Sequence, residues 1–405
     1  MAGKFQSVLV VDDSAFMRRM ISDIVAADSR FEVVGTANDG AHALKQIALL
    51  DPDIVTLDVD MPIMDGLQTL DAIMSTKPRA VVMLSAAAPG GTPESEGAGR
   101  ATSRSIYSSS DALHGRTACS ADTTLAALER GAVDFVRKPS GSISLDIELV
   151  RDRLLEALST AGKISQSALL ARLAPAGHVR FAGGESRLLS NMADSARPQT
   201  LGLAPSFIVV VASSTGGPAV LAQLARTLVV PAGVAVLIVQ HMPQGFTASL
   251  ARRLGQHSGI PAKEAESGEP LIGGQIYVAP GGRHMTLEGA AHSPLIRLDD
   301  TDPLWGVRPA ADYLFFSAAR YYGSHTVGVV LTGMGCDAAA GLAAIRRAGG
   351  WAVVQDRESC VVPGMPDAAR AGAGADATAL PDDLAEAIAC GIAACRNPKR
   401  LSERE

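Results

Sequence analysis

Three side chains suited to nucleophile, base and acid each stand just past a run of apolar residues. Ser214 follows Phe207–Ala212, in Ser213-Ser214-Thr215-Gly216-Gly217-Pro218. His241 follows Val234–Val239, in Gln240-His241-Met242-Pro243, and Asp337 follows Thr326–Leu331, in Thr332-Gly333-Met334-Gly335-Cys336-Asp337. A serine hydroxyl is a weak nucleophile until a neighbouring base takes its proton. Imidazole, with an ordinary pKa of about 6.5, suits that task, and a carboxylate fixes its tautomer and stabilises the imidazolium. Gly216 and Gly217 would let backbone N–H groups come close, at a helix start that favours developing negative charge. The reaction class is acyl transfer, provided folding brings the three groups into one hydrogen-bonded chain. Plainer readings stand beside it. Ser214 or Thr215 could cap a helix, Asp337 could open one near Ala338, and a lone histidine is usually structural, with His284 the nearest rival to His241. The sequence contains no G-x-S-x-G elbow, dinucleotide fingerprint or phosphate-binding G-x-x-x-x-G-K-[ST] loop.

A second constellation is acidic. Asp12 and Asp13 end the run Ser7–Val11, Asp58 ends Asp53–Leu57, Ser85 ends Ala80–Leu84, and Lys138 follows Ala132–Val136. Ligands of open parallel sheets sit beyond the carboxyl ends of the strands. Carboxylates gathered there repel one another unless a hard cation neutralises them, and Mg²⁺ fits that task. Asp58 would then be the nucleophile toward a phosphoryl group, with Lys138 screening its charge and Ser85 hydrogen-bonding the product. The alternative is an Asp-Asp helix cap and an ordinary surface lysine.

These runs must be strands for the chemistry to assemble. Five of them, separated by helical patterns, predict a doubly wound parallel sheet over residues 5–140. The stretch Ala86–Ser120, rich in Gly, Ser, Pro and Thr, reads as a disordered or extended loop. Residues 145–173 have helical spacing at Ile147, Val150, Leu154, Leu158 and Ala161, and Ala174–Pro205 reads as a linker. A second alternation fills residues 206–394, adding strands at Ile276–Ala279 and Trp351–Val354, before a charged tail from Arg396 to Glu405. At 405 residues the chain exceeds one ordinary core, and 47% hydrophobic residues exclude a largely disordered one. Thirty-six basic against forty-two acidic residues argue against a nucleic-acid partner, and no helix-turn-helix pattern supports a DNA-binding regulator. No run approaches the roughly 18 to 20 apolar residues of a membrane span, and no signal peptide precedes Asp12, so no membrane insertion is expected. Five cysteines, with no C-x-x-C pair, fit the cytosol better than a disulfide framework or zinc site.

The first region resembles the receiver domain of bacterial response regulators. The text that carries this is Val10-Val11-Asp12-Asp13-Ser14, Leu57-Asp58-Val59-Asp60-Met61-Pro62 through Gly66, Met83-Leu84-Ser85-Ala86 and Asp134-Phe135-Val136-Arg137-Lys138-Pro139. The resemblance implies that Asp58 is the phospho-acceptor, Asp12 and Asp13 handle Mg²⁺, Asp60 lends its carbonyl, and Ser85 and Lys138 read the phosphate. Phe135 takes the aromatic switch place, and Ala86–Ser120 is an insertion. The second region is similar to the catalytic domain of the chemotaxis-specific protein-glutamate methylesterase (CheB) family. Ala212–Pro218, Val239–Phe246, Ile276–Met285, Leu331–Asp337 and Gln355 through Pro366 match it. That similarity implies Ser214 as nucleophile, His241 as base, Asp337 as orienting acid and the Met334 N–H at the oxyanion, with no cofactor in this domain. Cys336 and Ala338 depart from the Asn and Gly usual there, and Ala338 would be strained where φ is positive. The expected fold is therefore α/β: two doubly wound parallel-sheet domains, flavodoxin-like then Rossmann-like, joined by a linker. The expected activity is a phosphorylation-controlled hydrolase of glutamyl methyl esters, and glutaminase, in the cytoplasm. Its expected partners are methyl-accepting receptors as substrate and a histidine kinase as phosphodonor, with the receiver covering the Ser214 cleft until Asp58 is phosphorylated. A non-catalytic receptor-binding adaptor and a nicotinamide-dependent Rossmann enzyme are the alternatives.

Overall fold

A computed structural model describes residues 5–85, 121–138, 146–164, 203–290 and 293–396. The expected loop Ala86–Ser120, nearly all of the expected linker and the tail beyond Arg396 lie outside the described residues. Strands buried on both faces must be apolar throughout, which is why these elements read as uninterrupted hydrophobic runs ending in a polar residue. The first sheet contains β1 (Gln6–Val11), β2 (Phe31–Ala37), β3 (Ile54–Asp58), β4 (Ala80–Ser85) and β5 (Asp134–Arg137). Its order is β2-β1-β3-β4-β5, all parallel, so the connections reverse direction between β1 and β3. Around it pack α1 (Ala15–Ala26), α2 (Gly40–Leu50), α3 (Gly66–Thr76), α4 (residues 121–129) and α5 (Asp146–Ala161). Short polar side chains start the first three: Ser14 caps α1, Asp39 caps α2, and Asp65 with Gln68 forms a reciprocal capping box on α3.

The second sheet is built from β6 (Phe207–Ser213), β7 (Val234–Gln240), β8 (Ala262–Glu264), β9 (Gln275–Val278), β12 (Thr326–Val330), β13 (Trp351–Gln355) and β14 (Ala377–Ala379). All seven are parallel in the order β14-β13-β12-β6-β7-β9-β8, with the reversal between β12 and β6. An antiparallel pair, β10 (His284–Ala290) and β11 (Ser293–Asp299), stands apart. The helices are α6 (Gly217–Thr227), α7 (Thr247–Ser258), α8 (Ala311–Tyr322), α9 (Ala339–Arg347), α10 (Gly364–Ala373) and α11 (Leu384–Arg396). The pair β10–β11, and the three-residue strands β8 and β14, are additions to the sequence reading. Among the described residues no helix is long and apolar enough to cross a membrane.

The two sheets share apolar packing. Leu125 and Leu128 of α4 and Phe135 of β5 belong to the same buried cluster as Phe246 and Leu250 of the second unit. The Phe135 and Phe246 rings lie 4.6 Å apart, centre to centre. On the adjoining side, Leu154 and Leu158 of α5 cluster with Val361.

Candidate active site and phosphoryl pocket

Both sheets place their chemistry-bearing residues at the point where strand order reverses, the crevice where such sheets bind ligands. In the first, the carboxylates of Asp12, Asp13 and Asp58 offer oxygens within 4.8 Å of one another. Lys138 Nζ lies 2.7 Å from both Asp12 Oδ2 and Asp58 Oδ2. Three oxygen donors, one exposed and two buried, are the set a hard divalent cation takes. The Asp60 carboxylate is not part of that cluster, and the Asp60 N–H donates to Asp58 Oδ1 at 3.4 Å. Burial pushes the Asp58 carboxyl up to about 6; the Lys138 ammonium works against that and the Asp12 charge adds to it. Ser85 is buried, and its Oγ accepts a hydrogen bond from Thr124 of α4 at 3.0 Å.

In the second sheet the register does the positioning. Ser213 pairs with Gln240 across β6 and β7, so Ser214 and His241 leave neighbouring strand ends side by side. Gln240 fixes that arrangement with its amide. Its Oε1 accepts from Ser213 Oγ at 2.7 Å, and its Nε2 donates to the carbonyls of Ser214 and His241 at 2.9 and 3.2 Å. His241 Nε2 lies 2.7 Å from Asp337 Oδ2. With Nε2 donating to the carboxylate, Nδ1 is the atom left to take a proton. Asp337 is held by main-chain N–H groups: at the start of α8, Ala311 reaches Oδ2 at 2.5 Å and Asp312 reaches Oδ1 at 2.9 Å, and the N–H of Ala338, at the start of α9, reaches Oδ1 at 2.9 Å. Burial alone would raise this carboxyl, but His241 and those N–H groups hold it below the usual carboxylate range.

The loop after β12 lies directly on Ser214. A Cβ at Gly333 would stand 2.7 Å from Ser214 Cβ, so only glycine permits this approach. The Ser214 N–H donates to the Thr332 carbonyl at 3.0 Å, and Thr332 Oγ1 returns a bond to the Thr215 carbonyl at 3.0 Å. Among the described residues the Met334 N–H makes no hydrogen bond, which leaves it available to an oxyanion. Gly217 departs from the expected role. Its N–H closes a turn onto the Ser214 carbonyl at 2.8 Å and is not available to substrate, and the cap of α6 is Gly216, with φ 80°, not Ser214 or Thr215. The imidazole–carboxylate link of the expected chain is made. The hydroxyl–imidazole link is not: among the described residues no hydrogen bond joins Ser214 Oγ to His241.

Known proteins match both halves. The CheB methylesterase family model matches residues 209–388, and the response regulator receiver model matches residues 8–92. A relative from Geobacillus kaustophilus named protein-glutamate methylesterase/protein-glutamine glutaminase is 41% identical over 388 residues, covering 94% of this chain and 97% of its own. A relative of the same name from Symbiobacterium thermophilum is 40% identical over 364 residues, 89% of each chain. The chain belongs to this methylesterase family. Among solved structures, the Thermotoga maritima CheB methylesterase catalytic domain is 39% identical, covering 45% of this chain and 97% of its own with a TM-score of 0.43. The Thermotoga maritima CheB response regulator domain is 35% identical, covering 40% and 99% with a TM-score of 0.29. The receiver of this family takes Mg²⁺-dependent phosphorylation in general.

The first sheet and α5 touch the turns around Ser214. Thr215 Oγ1 donates to Asp134 Oδ2 at 3.3 Å, and Thr160 Oγ1 of α5 lies 3.9 Å from Met334 Sδ. His284, the rival histidine, is buried and structural: its Nδ1 accepts from the Ala310 N–H at 3.1 Å and its Nε2 meets the Asp302 carbonyl at 3.2 Å. Burial pushes the Cys360 thiol up to about 12, which makes it inert. Gln240 and Asp312 were missed by sequence reasoning. Asp312 accepts from the Gly341 N–H at 2.7 Å and from Trp305 Nε1 at 3.0 Å, tying α8 to α9 behind Asp337. A glutamine closing a wholly apolar run was the available signal for Gln240; Asp312 left none.

Proposed function

We propose that residues 206–394 hydrolyse glutamyl methyl esters of methyl-accepting chemoreceptors and deamidate selected glutamines there, under the control of a receiver at residues 5–140 through the connecting segment 141–205. The observation that carries this reading is the 2.7 Å contact of His241 Nε2 with Asp337, beside a serine set on the adjoining strand end. Ser214 Oγ attacks the γ-carbonyl as His241 Nδ1 takes its proton, and Asp337 stabilises the imidazolium. The Met334 N–H faces the oxygen that becomes negative. His241 returns the proton to the departing methanol, or to ammonia from a glutamine. Water, activated by the same imidazole, then releases free glutamate and Ser214. The Nε2 proton stays on the ring throughout, hydrogen-bonded to the anionic Asp337.

In the receiver, Asp12, Asp13 and Asp58 would hold Mg²⁺, which when bound neutralises phosphoryl charge and lets Asp58 approach the donor. Lys138 pairs the remaining charge and Ser85 receives a phosphoryl oxygen; a histidine kinase of the same cytoplasmic pathway is the donor. The contacts of Asp134 in the receiver with Thr215, and of Thr160 in the connecting segment with Met334, support an autoinhibited state in which the receiver and that segment cover the cleft. Methanol release from methylated receptor membranes tests the activity: Ser214→Ala is expected to lower it by roughly 10⁴- to 10⁶-fold, and near-normal release would refute the assignment. For the switch, a small phosphodonor should accelerate the wild type and leave Asp58→Asn unchanged. Equal rates for both proteins under both conditions would defeat it.

A further inference from the structure

The α4 helix sits on α7 through paired charges as well as apolar side chains. Arg252 Nη2 meets Asp122 Oδ1 and Oδ2 at 2.7 and 2.8 Å. Arg253 grips Glu129 as a two-pronged fork, Nε to Oε1 at 2.9 Å and Nη2 to Oε2 at 2.7 Å, with His257 Nε2 at 3.3 Å. Asp122 and Glu129 are two helical turns apart, so they share one face of α4 at a separation of about 10 Å. Leu125 and Leu128 are buried between them. The second unit offers these arginines no carboxylate in exchange: among the described residues, Arg252 Nη2 also donates to Ser249 Oγ at 3.0 Å, and neither Arg252 nor Arg253 pairs with a carboxylate of residues 203–396. Departure of the receiver would leave two neighbouring cations without the carboxylates they pair with here, and complementary charge on a partner would steer it to that place. The strip also adjoins the site, because α7 begins six residues after His241.

We propose that α7 is a docking strip for an acidic helix of the protein substrate, and that α4 occupies the strip in the closed chain as an internal stand-in. The template is the seated helix itself: carboxylates two turns apart, flanking apolar side chains. Glutamyl side chains left unesterified on such a segment are carboxylates, and Arg252 and Arg253 complement them in charge. This identity of the occupant rests on the methylesterase reading; the preference for an acidic helix does not. Opening the cleft and exposing the strip are then one event.

The test uses the full chain in two arms. In the first, phosphodonor-activated wild type and Arg252→Glu/Arg253→Glu are compared on N-acetylglutamate γ-methyl ester and on methylated receptor membranes. The variant should match wild type on the small ester within about twofold. On receptor its kcat/KM should fall at least tenfold, through KM, and the fall of the rate with salt should flatten. A double reversal that also carries Asp122→Arg and Glu129→Arg restores closure with opposite charges and should keep the receptor defect. In the second arm, a labelled peptide copying residues 121–131 is titrated into the open form made by Glu129→Lys. It should bind in a salt-sensitive way and at least tenfold more weakly when Arg252→Ala/Arg253→Ala is added. Unchanged receptor kcat/KM or unchanged peptide binding overturns the strip. A wild type that hydrolyses neither ester defeats the methylesterase reading instead, and the peptide arm then decides the strip alone.

Discussion

Asp58 and Asp337 both end in a crevice at the reversal of a parallel sheet, and both are buried, 3% and 1% exposed. Their surroundings push them in opposite directions. Asp58 has one N–H at 3.4 Å and a lysine it shares with Asp12, and burial wins, raising its carboxyl to about 6. Asp337 has three backbone N–H groups and an imidazole, and it is held below the usual range. The difference is between fixed dipoles and a shared mobile cation. Backbone amides at the start of α8 cannot leave, so they sustain a permanent anion able to support an imidazolium. A lysine divided between two carboxylates leaves each under-compensated. That instability suits the role proposed for Asp58, a carboxylate neutralised by a metal that then takes a phosphoryl group as an acyl phosphate.

Replacing each carboxylate by its amide should separate the roles most sharply. Asp337→Asn keeps the shape but loses the charge and permits the wrong histidine tautomer. Its esterase rate should fall on the order of 10³- to 10⁴-fold, with or without phosphodonor. Asp58→Asn should leave the unstimulated rate intact. If the two variants lost activity alike, the contrast between a permanent and a conditional charge would be wrong.

Metal removal comes next in size. With chelator present, the acceleration by phosphodonor should disappear and the unstimulated release of methanol should persist, because among the described residues the first crevice alone gathers three carboxylates able to hold a metal. Measuring both rates before and after restoring Mg²⁺ checks this; a chelator-sensitive unstimulated rate would place a metal requirement in the second crevice.

The opposite shifts also predict opposite pH dependence of stability. A carboxyl raised in the folded state binds its proton more tightly there than in the unfolded chain, whose value is about 3.9. Metal-free protein should therefore lose stability as pH rises from about 4 to 6 through Asp58, with no further loss from this group above that. The lowered Asp337 contributes stability above about 3.9 and loses it only as pH falls through its depressed value. Between pH 4 and 6 the two do not overlap. Denaturant unfolding of metal-free wild type and Asp58→Asn across that window should show a steeper decline for wild type, and parallel curves would remove the assigned shift.

Much of this contrast was legible in the chain because strands buried on both faces leave an unbroken apolar run that stops where chemistry begins. Asp12, Asp58, Ser214 and His241 could be placed at strand ends for that reason. The pair β10–β11 was not, since only three of the seven residues of β10 are buried and Gly289, with φ 106°, lies near its end. The donors that hold Asp337 down were hidden too: main-chain N–H groups of Ala311 and Asp312 have no side-chain signature, and a long-range fold alone brings α8 behind β12. The contact of Asp122 and Glu129 with α7 was illegible for a related reason. Both read as ordinary charges on a solvated helix face until a second sheet stands opposite.

The smallest test concerns the backbone that delivers Asp337. Ala338 follows it with φ 73°, in the left-handed region, and serves as the cap of α9. A Cβ there costs about 1–2 kcal/mol relative to glycine, yet Ala338 is wholly buried and donates its N–H to Asp337 Oδ1 at 2.9 Å. Losing the methyl forfeits roughly 0.8 kcal/mol of burial, which offsets part of the relief. Ala338→Gly should therefore stabilise the protein by a net of less than about 1 kcal/mol, read as a higher denaturant midpoint at an unchanged slope. Its rate should stay near wild type, because the N–H that Asp337 needs belongs to the backbone and survives the substitution. A destabilised Ala338→Gly with a lowered rate would mean that the methyl, and not the amide, positions the acid, and the account of Asp337 as an anion held by fixed dipoles would lose one of its three supports.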